Sequence, residues 1–306
     1  MMTDLRNGIG GDQWSDWLLH RRHGDDPNYE PIIKEQLAAI RERVLQGARL
    51  GPGMTLLDVG AGDGLISFGA LQQVAQPLSV ILADISASIL NHAEHLSEEL
   101  GLRQYCTFIC TSAEALDGIA DESADRLTTR AVLAYVADKA SAAQSFLRVL
   151  KPGGRISIAE PIDQDSAIYL AALTDVLRSQ PSSPLTPYAT LLQRCRALQI
   201  PSNLEAIRAN PLTDFSERDL LQIFSKAGFT DLHMELHIDI KTGPPMPWST
   251  YIDIAPRPGA MSLREIFTQN FSSSESELLE SGLRPDVEGG TLSNRTTIAY
   301  LTAKKP

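Results

Sequence analysis

The chain has 306 residues, a formal net charge of −11, 43% hydrophobic residues and three cysteines. This length holds one large α/β domain or two small ones and suffices to bury a sizeable core. The acidic balance, without any Lys/Arg-rich run, argues against a general nucleic-acid groove, which needs a basic stripe to neutralise phosphates. Met1 to Arg6 lacks the apolar segment of a signal peptide, and no run approaches the ~18–20 apolar residues of a membrane helix, so a cytoplasmic protein is expected.

In chain order, Trp14 to Gly24 reads as a short amphipathic helix and Gly24-Asp25-Asp26-Pro27 as a turn. Tyr29 to Leu45 reads as a second helix, with apolar positions at Ile32, Leu37, Ile40 and Val44. Leu56-Leu57-Asp58-Val59 is a buried strand that breaks into Gly60-Ala61-Gly62-Asp63-Gly64 and enters a helix at Leu65. Glycines at every second position let the backbone approach a ligand and tolerate positive φ. Strand, glycine turn and helix N-terminus together make a cradle for a nucleotide ligand. The dinucleotide pattern G-x-G-x-x-G requires a third glycine at position 65, which is Leu65. Asp58, two residues before the first glycine, suits a cationic ligand better than a pyrophosphate.

Leu78 to Ile85 is an apolar strand carrying Asp84 at its end, 20 residues after Gly64. In doubly wound folds an acid there takes the ribose hydroxyls; Asp84 or Ser86 serves equally as cap of the following helix. Cys106 to Cys110 reads as a strand whose two cysteines share one face as small core side chains. Ser112 is a candidate helix cap. Lys139 to Leu150 is an amphipathic helix, Lys151-Pro152-Gly153-Gly154 a turn, and Ile156 to Glu160 a strand stopped by Pro161. Alternating strands and helices over 54–161 imply a parallel sheet covered on both faces.

D-V-G-x-G-x-G at Asp58–Gly64, the strand-end Asp84, Thr111–Leu116, Ala124–Val136 and L-K-P-G-G-R at Leu150–Arg155 follow one another in this order. Together they resemble class I S-adenosylmethionine-dependent methyltransferases. The resemblance implies an α/β fold: a Rossmann-like, doubly wound, seven-stranded sheet with its last strand antiparallel, a helical N-terminal lid and cap insertions. It implies S-adenosyl-L-methionine as cofactor. Donor contacts would come from Asp58, Gly60, Gly62, Gly64, Asp84 and Ile85, from Ser112, Ala113 and Glu114, from Arg130, and from Trp17 of the lid. Similar enzymes usually carry G-D-A-E-x-L where this chain has Thr111-Ser112-Ala113-Glu114-Ala115-Leu116. Ser112 thus replaces the Asp that bonds the adenine amino group, and a hydroxyl accepts that bond more weakly. Arg130 would stand where a strand becomes a helix, close to the ligand. Trp14, Trp17 and Arg22 are candidates for the lid's cover; the tryptophans read equally as pins holding the helix to the domain.

The expected organisation is a lid over 1–50, a donor-binding core over 51–162, a helical cap insertion over 163–214, and the end of the core sheet over 215–306 with an inserted segment at about 241–290. In the cap, Ala167 to Leu177, Pro187 to Ala197 and Ser202 to Ala209 read as helical. Ser216 caps a helix that Gly228 stops. Thr230 to Ile240 alternates: Leu232, Met234, Leu236, Ile238 and Ile240 share one face, and Asp231, His233, Glu235, His237 and Asp239 the other. That polar face reads as a wet sheet edge, as a source of a general base, or as ligands for a metal; none is expected to be bound. The inserted segment, with helical patterns at Ser262 to Asn270 and Ser274 to Ser281, reads as a pocket wall or a homodimer surface. Trp248 and Tyr251 there suit a pocket or a core. Arg295 to Ala303 is the last strand.

Methyl transfer from a sulfonium mainly requires alignment, and a base only when the nucleophile is protonated. A carboxylate acceptor needs no base but gains from a cation such as Arg130. The expected function is methylation of O, N or C of a small molecule, a secondary metabolite or a carboxylate among the candidates. Arg130, Tyr135, Glu160, His233 and His237 are the residues placed at the acceptor. A non-catalytic S-adenosylmethionine-binding regulator or scaffold is the alternative. An NAD-dependent oxidoreductase is disfavoured by Leu65.

Overall fold

The computed structural model describes residues 12–74, 77–179 and 186–306. The strands are β1 (Thr55–Val59), β2 (Ser79–Asp84), β3 (Cys106–Cys110), β4 (Ala124–Arg130), β5 (Leu150–Pro161), β6 (Thr230–Thr242) and β7 (Ser293–Lys304). They form one seven-stranded sheet in the order β3-β2-β1-β4-β5-β7-β6. β1 to β5 run parallel, and β7 lies antiparallel between β5 and β6. This is the expected doubly wound arrangement.

The helices in chain order are α1 (Gln13–Asp16), α2 (Glu30–Ala48), α3 (Leu65–Gln73), α4 (Ala87–Glu99), α5 (Lys139–Val149), α6 (Gln164–Ser179), α7 (Thr186–Ala197), α8 (Leu204–Ala209), α9 (Glu217–Ala227), α10 (Trp248–Asp253), α11 (Leu263–Asn270) and α12 (Ser273–Gly289). Because side chains alternate along a strand, each strand feeds two cores. On one face Leu56, Val80 and Leu82 pack with Val44 and Leu45 of α2, Ile66 and Leu71 of α3, and Leu90 of α4. On the other, Leu57, Leu127, Ile156 and Leu301 pack with Phe146 of α5 and Phe224 of α9. Both rings are fully buried, each worth roughly 1.5–3 kcal/mol. α9 begins with a Ser216/Asp219 capping box and ends at Gly228 with φ 108°, as its sequence predicts.

Three expectations are corrected. The Lys151–Gly154 turn is absorbed into β5: Ala124 pairs with Leu150 and Arg126 with Arg155, so the glycines form a bulge, with Gly153 at φ 76°. Cys106 is buried but Cys110 is exposed, because it ends an edge strand. The apolar row of β6 is only partly covered. β5 pairs with β7 as far as Pro161–Ile298, whereas β6 and β7 continue together to Thr242–Ser293. This ribbon overshoots the sheet, leaving Leu236, Ile238 and Ile240 exposed.

α7, α10, α11 and α12 share a third core of Leu191, Cys195, Trp248, Leu263, Ile266, Leu279 and Leu283. The two segments beyond the donor half, 163–214 and 241–290, therefore pack on each other. Trp248 and Tyr251 stack at 5.7 Å inside this core, which favours the packing reading. α10 has no clear signal in the sequence, and α12 runs on through Pro285, well past the predicted Ser281. Among the described residues, no helix is long and apolar enough to cross a membrane.

Candidate functional site

β1 delivers the glycine turn to the C-terminal edge of the sheet, beside the end of β2. Gly60, Gly62 and Gly64 all have positive φ, at 66°, 56° and 84°. A Cβ on Gly60 would lie 2.2 Å from Val132 Cγ2, and one on Gly64 would strike the Phe68 ring, so these two glycines serve the protein's own packing. At Gly62 the nearest atom would be Leu18 Cδ2 of the lid, at 3.3 Å. The backbone N–H of Gly60 donates to Ala83 O at 2.7 Å, and that of Gly62 to Asp84 Oδ2 at 2.9 Å. Asp84 Oδ1 accepts from Ser86 N at 2.9 Å, while Ser86 Oγ caps α4 through Ile89 N. Ser86 thus takes the capping role and leaves Asp84 in the cleft wall. Burial pushes the Asp84 carboxyl above its ordinary value, against the two backbone hydrogen bonds.

The cleft above this turn is lined by Gly60, Gly62, Asp84, Ile85, Ser112, Ala113, Glu114, Arg130, Tyr135, Trp14 and Trp17, all expected, and by residues that include Leu18, Asp63, Ile89, Val132 and Pro258. Ser112 faces the cleft and also accepts from Ala115 N at 3.3 Å; it closes a turn and caps no helix, since none stands between β3 and β4. Trp14 stands edge-on to Tyr135 at 5.1 Å. Burial pushes the Tyr135 phenol up to about 12. After α1 the chain makes a π-helical turn, Trp17–Arg21. Trp17 Nε1 donates to Ala255 O at 2.8 Å, and Ala255 N donates to Arg21 O at 2.9 Å. Arg22 reaches Asp63 Oδ2 at 3.4 Å, with its guanidinium 5.8 Å from the Trp17 ring. Asp63 and Pro258 had no sequence signal of their own. The first is a spacer in the glycine turn, and the second comes from the distant inserted segment.

Several expected residues lie elsewhere. Asp58 is 1% exposed, behind the turn, with Ser67 Oγ at 2.7 Å and Thr128 Oγ1 at 2.8 Å donating to its carboxylate. It ties β1 to β4 and α3, and burial pushes its pKa to about 6. Glu160 is fully buried and accepts from Thr129 Oγ1 at 3.0 Å, Val132 N at 3.1 Å and Ala134 N at 3.2 Å. It holds the 3₁₀ turn Leu133–Tyr135 and does not line the cleft. Gly64 too is outside the lining, as the αL residue that starts α3. His233 and His237 sit on the edge strand, each 3.4 Å from Glu235, which Arg43 also pairs. His237 packs on Tyr300. Neither histidine reaches the cleft, since β6 is two strands beyond β5. Among the described residues, no three His, Cys, Asp or Glu side chains are grouped to hold a metal.

The methyltransferase-domain family matches residues 50–228, more than half of the chain. The ubiquinone/menaquinone biosynthesis C-methyltransferase UbiE of Vibrio vulnificus (strain YJ016) is 37% identical over 114 residues, 37% of this chain and 43% of that protein. Its namesake in Shewanella sediminis (strain HAW-EB3) is 35% identical over 116 residues, 38% and 46% of the two chains. The chain thus spans less than half the length of either curated relative. A putative methyltransferase from Bacillus halodurans C-125 superposes with a TM-score of 0.52 at 18% identity, covering 88% of this chain and 99% of that one. The [4+2]-cyclase SpnF superposes with a TM-score of 0.53 at 18% identity, covering 89% and 82%. Those two likenesses concern the fold, which carries more than one chemistry. The glycine turn and the strand-end Asp84 lie within the matched residues, and the chain belongs to the methyltransferase-domain family.

Proposed function

We propose that this cleft binds S-adenosylmethionine and that the chain methylates a small molecule enclosed beneath the cover made by Trp14, Trp17 and Pro258. The observation that carries the reading is Asp84: its carboxylate is oriented by two backbone N–H groups at the end of β2, in the cleft wall, next to an Ile85 side chain 44% exposed. An acid in that place suits a ribose diol, and an exposed isoleucine suits the face of a base. Ser112 and Ala113 would flank the adenine, and the Gly60–Gly62 backbone would pass under the amino-acid end.

The donor supplies a methyl group already activated on a sulfonium. What remains for the protein is alignment and exclusion of water. Trp14, Tyr135 and Val132 provide an apolar wall. Tyr135 keeps its proton at neutral pH and therefore donates a hydrogen bond instead of acting as base. The likeness to proteins named C-methyltransferases covers too little of them to carry their acceptor across to this chain. Titration calorimetry tests the donor: S-adenosylhomocysteine is expected to bind and NAD is not. Tight NAD binding, or none with S-adenosylhomocysteine, overturns the reading. Incubation with metabolite extracts and a search for masses raised by one methyl group then finds the acceptor.

A further inference from the structure

Arg130 ends β4 in the cleft wall, and among the described residues none of its guanidinium N–H groups has a hydrogen-bond partner. Arg22 lies close enough for the two guanidinium groups to repel, and it is only 8% exposed. Its one side-chain hydrogen bond among the described residues is the 3.4 Å contact to Asp63, and its Nε is buried without a partner. Buried cations are strongly disfavoured unless paired.

Asp63 and Glu160 favour the Arg130 charge from a distance, but neither hydrogen-bonds it. Asp84 is held by backbone N–H groups, Glu160 by Thr129, Val132 and Ala134, and Asp63 by Arg22. The donor does not answer it either: an ammonium, a sulfonium and one carboxylate leave it with surplus positive charge. Arg22 keeps Asp63 and does not line the cleft, whereas Arg130 lines it and is the cationic side chain there, among the described residues, that a bound anion can reach. Beside it stand the Tyr135 hydroxyl and, edge-on to that ring, Trp14.

Resting on the donor reading above, we propose that the methyl acceptor is an organic anion, a carboxylate on an apolar or aromatic body, and that Arg130 grips its carboxylate. Planar guanidinium and planar carboxylate match two bonds to two. Trp14 and Tyr135 take the body of the molecule. Whichever atom accepts the methyl group, the anion is held at a fixed distance from the end of β4.

Benzoate and its uncharged counterpart benzamide are the probes, with tryptophan fluorescence as readout, on the full chain loaded with S-adenosylhomocysteine. Benzoate is expected to bind at least about tenfold more tightly than benzamide. Arg130→Met is expected to erase that preference, and Arg130→Lys to keep part of it. Circular dichroism and urea unfolding that match the wild type show that the variants are folded. Equal binding of the two probes, no binding of benzoate, or an undiminished preference in Arg130→Met overturns the proposal. So does loss of S-adenosylhomocysteine binding in Arg130→Met while 5′-methylthioadenosine, which lacks the amino-acid end, still binds, since Arg130 then serves the donor. If the wild-type chain binds neither nucleoside, the donor reading fails. An Arg130-dependent benzoate preference in the unloaded chain would still separate that failure from failure of the anion site.

Discussion

At the floor of the cleft, the contacts that shape the site join residues close in sequence. Asp84 bonds Gly62, 22 positions away, and Ser86, two away; Ser67 bonds Asp58, nine away. In the cover, Trp17 bonds Ala255 across 238 positions, Arg21 pairs Glu265 across 244, and Thr250 donates to Asp26 at 2.6 Å across 224. The floor is complete once β1, the glycine turn, α3 and β2 have come together. The cover needs two distant segments to meet, and the ion pair Arg22–Asp63 is its polar link to the glycine turn. A floor of this kind keeps its shape without ligand. A cover of this kind separates from the floor at the cost of few bonds, which suits a site that must admit and release two molecules.

The sharpest break in the floor is Gly60→Ala. Its Cβ would overlap the stiff Val132 side chain in a left-handed backbone, for about 4 kcal/mol of lost stability by urea unfolding. Gly62→Ala, with only Leu18 near, should cost about 1 kcal/mol; equal losses would mean that the turn is not packed as described. Next is the buried Asp58. Its folded pKa of about 6 lies above its ordinary 3.8, so the fold favours the protonated form. The stabilisation is present below pH 3.8 and is lost as pH rises through about 6, a change of about 3 kcal/mol. Asp58→Asn should flatten this part of the stability–pH curve, measured by urea unfolding at points across the window. An unchanged slope assigns it to other groups.

Asp84→Ala should weaken S-adenosylhomocysteine binding about 100-fold by calorimetry, the loss of a charge-assisted pair of hydrogen bonds, while the sheet stays folded. Unchanged affinity removes Asp84 from the site. The smallest effect tests the cover. Trp17→Phe keeps the ring but loses the bond to Ala255, for about fivefold weaker ligand binding, all of it in a faster off-rate by stopped flow. If the change falls in the on-rate, the cover is not what retains the ligand.

The floor was legible in the sequence because its signals are local: alternation sets the strands, glycines set the turn, and the acid ends β2. The same locality misled at Asp58. A strand residue next to a glycine turn looks like a ligand contact, yet alternation points it at α3, where Ser67 waits, and at Thr128 on the neighbouring strand. Alternation sets β6 as a strand, but how far β5 extends beside it depends on pairing that no single strand encodes. The cover was illegible for a different reason. Pro258 and Ala255 act through backbone position in a Pro-rich stretch, and their partners stand at the other end of the chain.

Ala255 gives both its carbonyl and its N–H to the lid, and it is 1% exposed. Both bonds belong to the main chain, so side-chain identity enters only through size and through the one residue that lacks an N–H. Position 255 therefore tolerates a very short alphabet, glycine, alanine or serine. In any related chain a residue of that set, just before the proline that corresponds to Pro256, is a searchable signature of this way of closing the cleft.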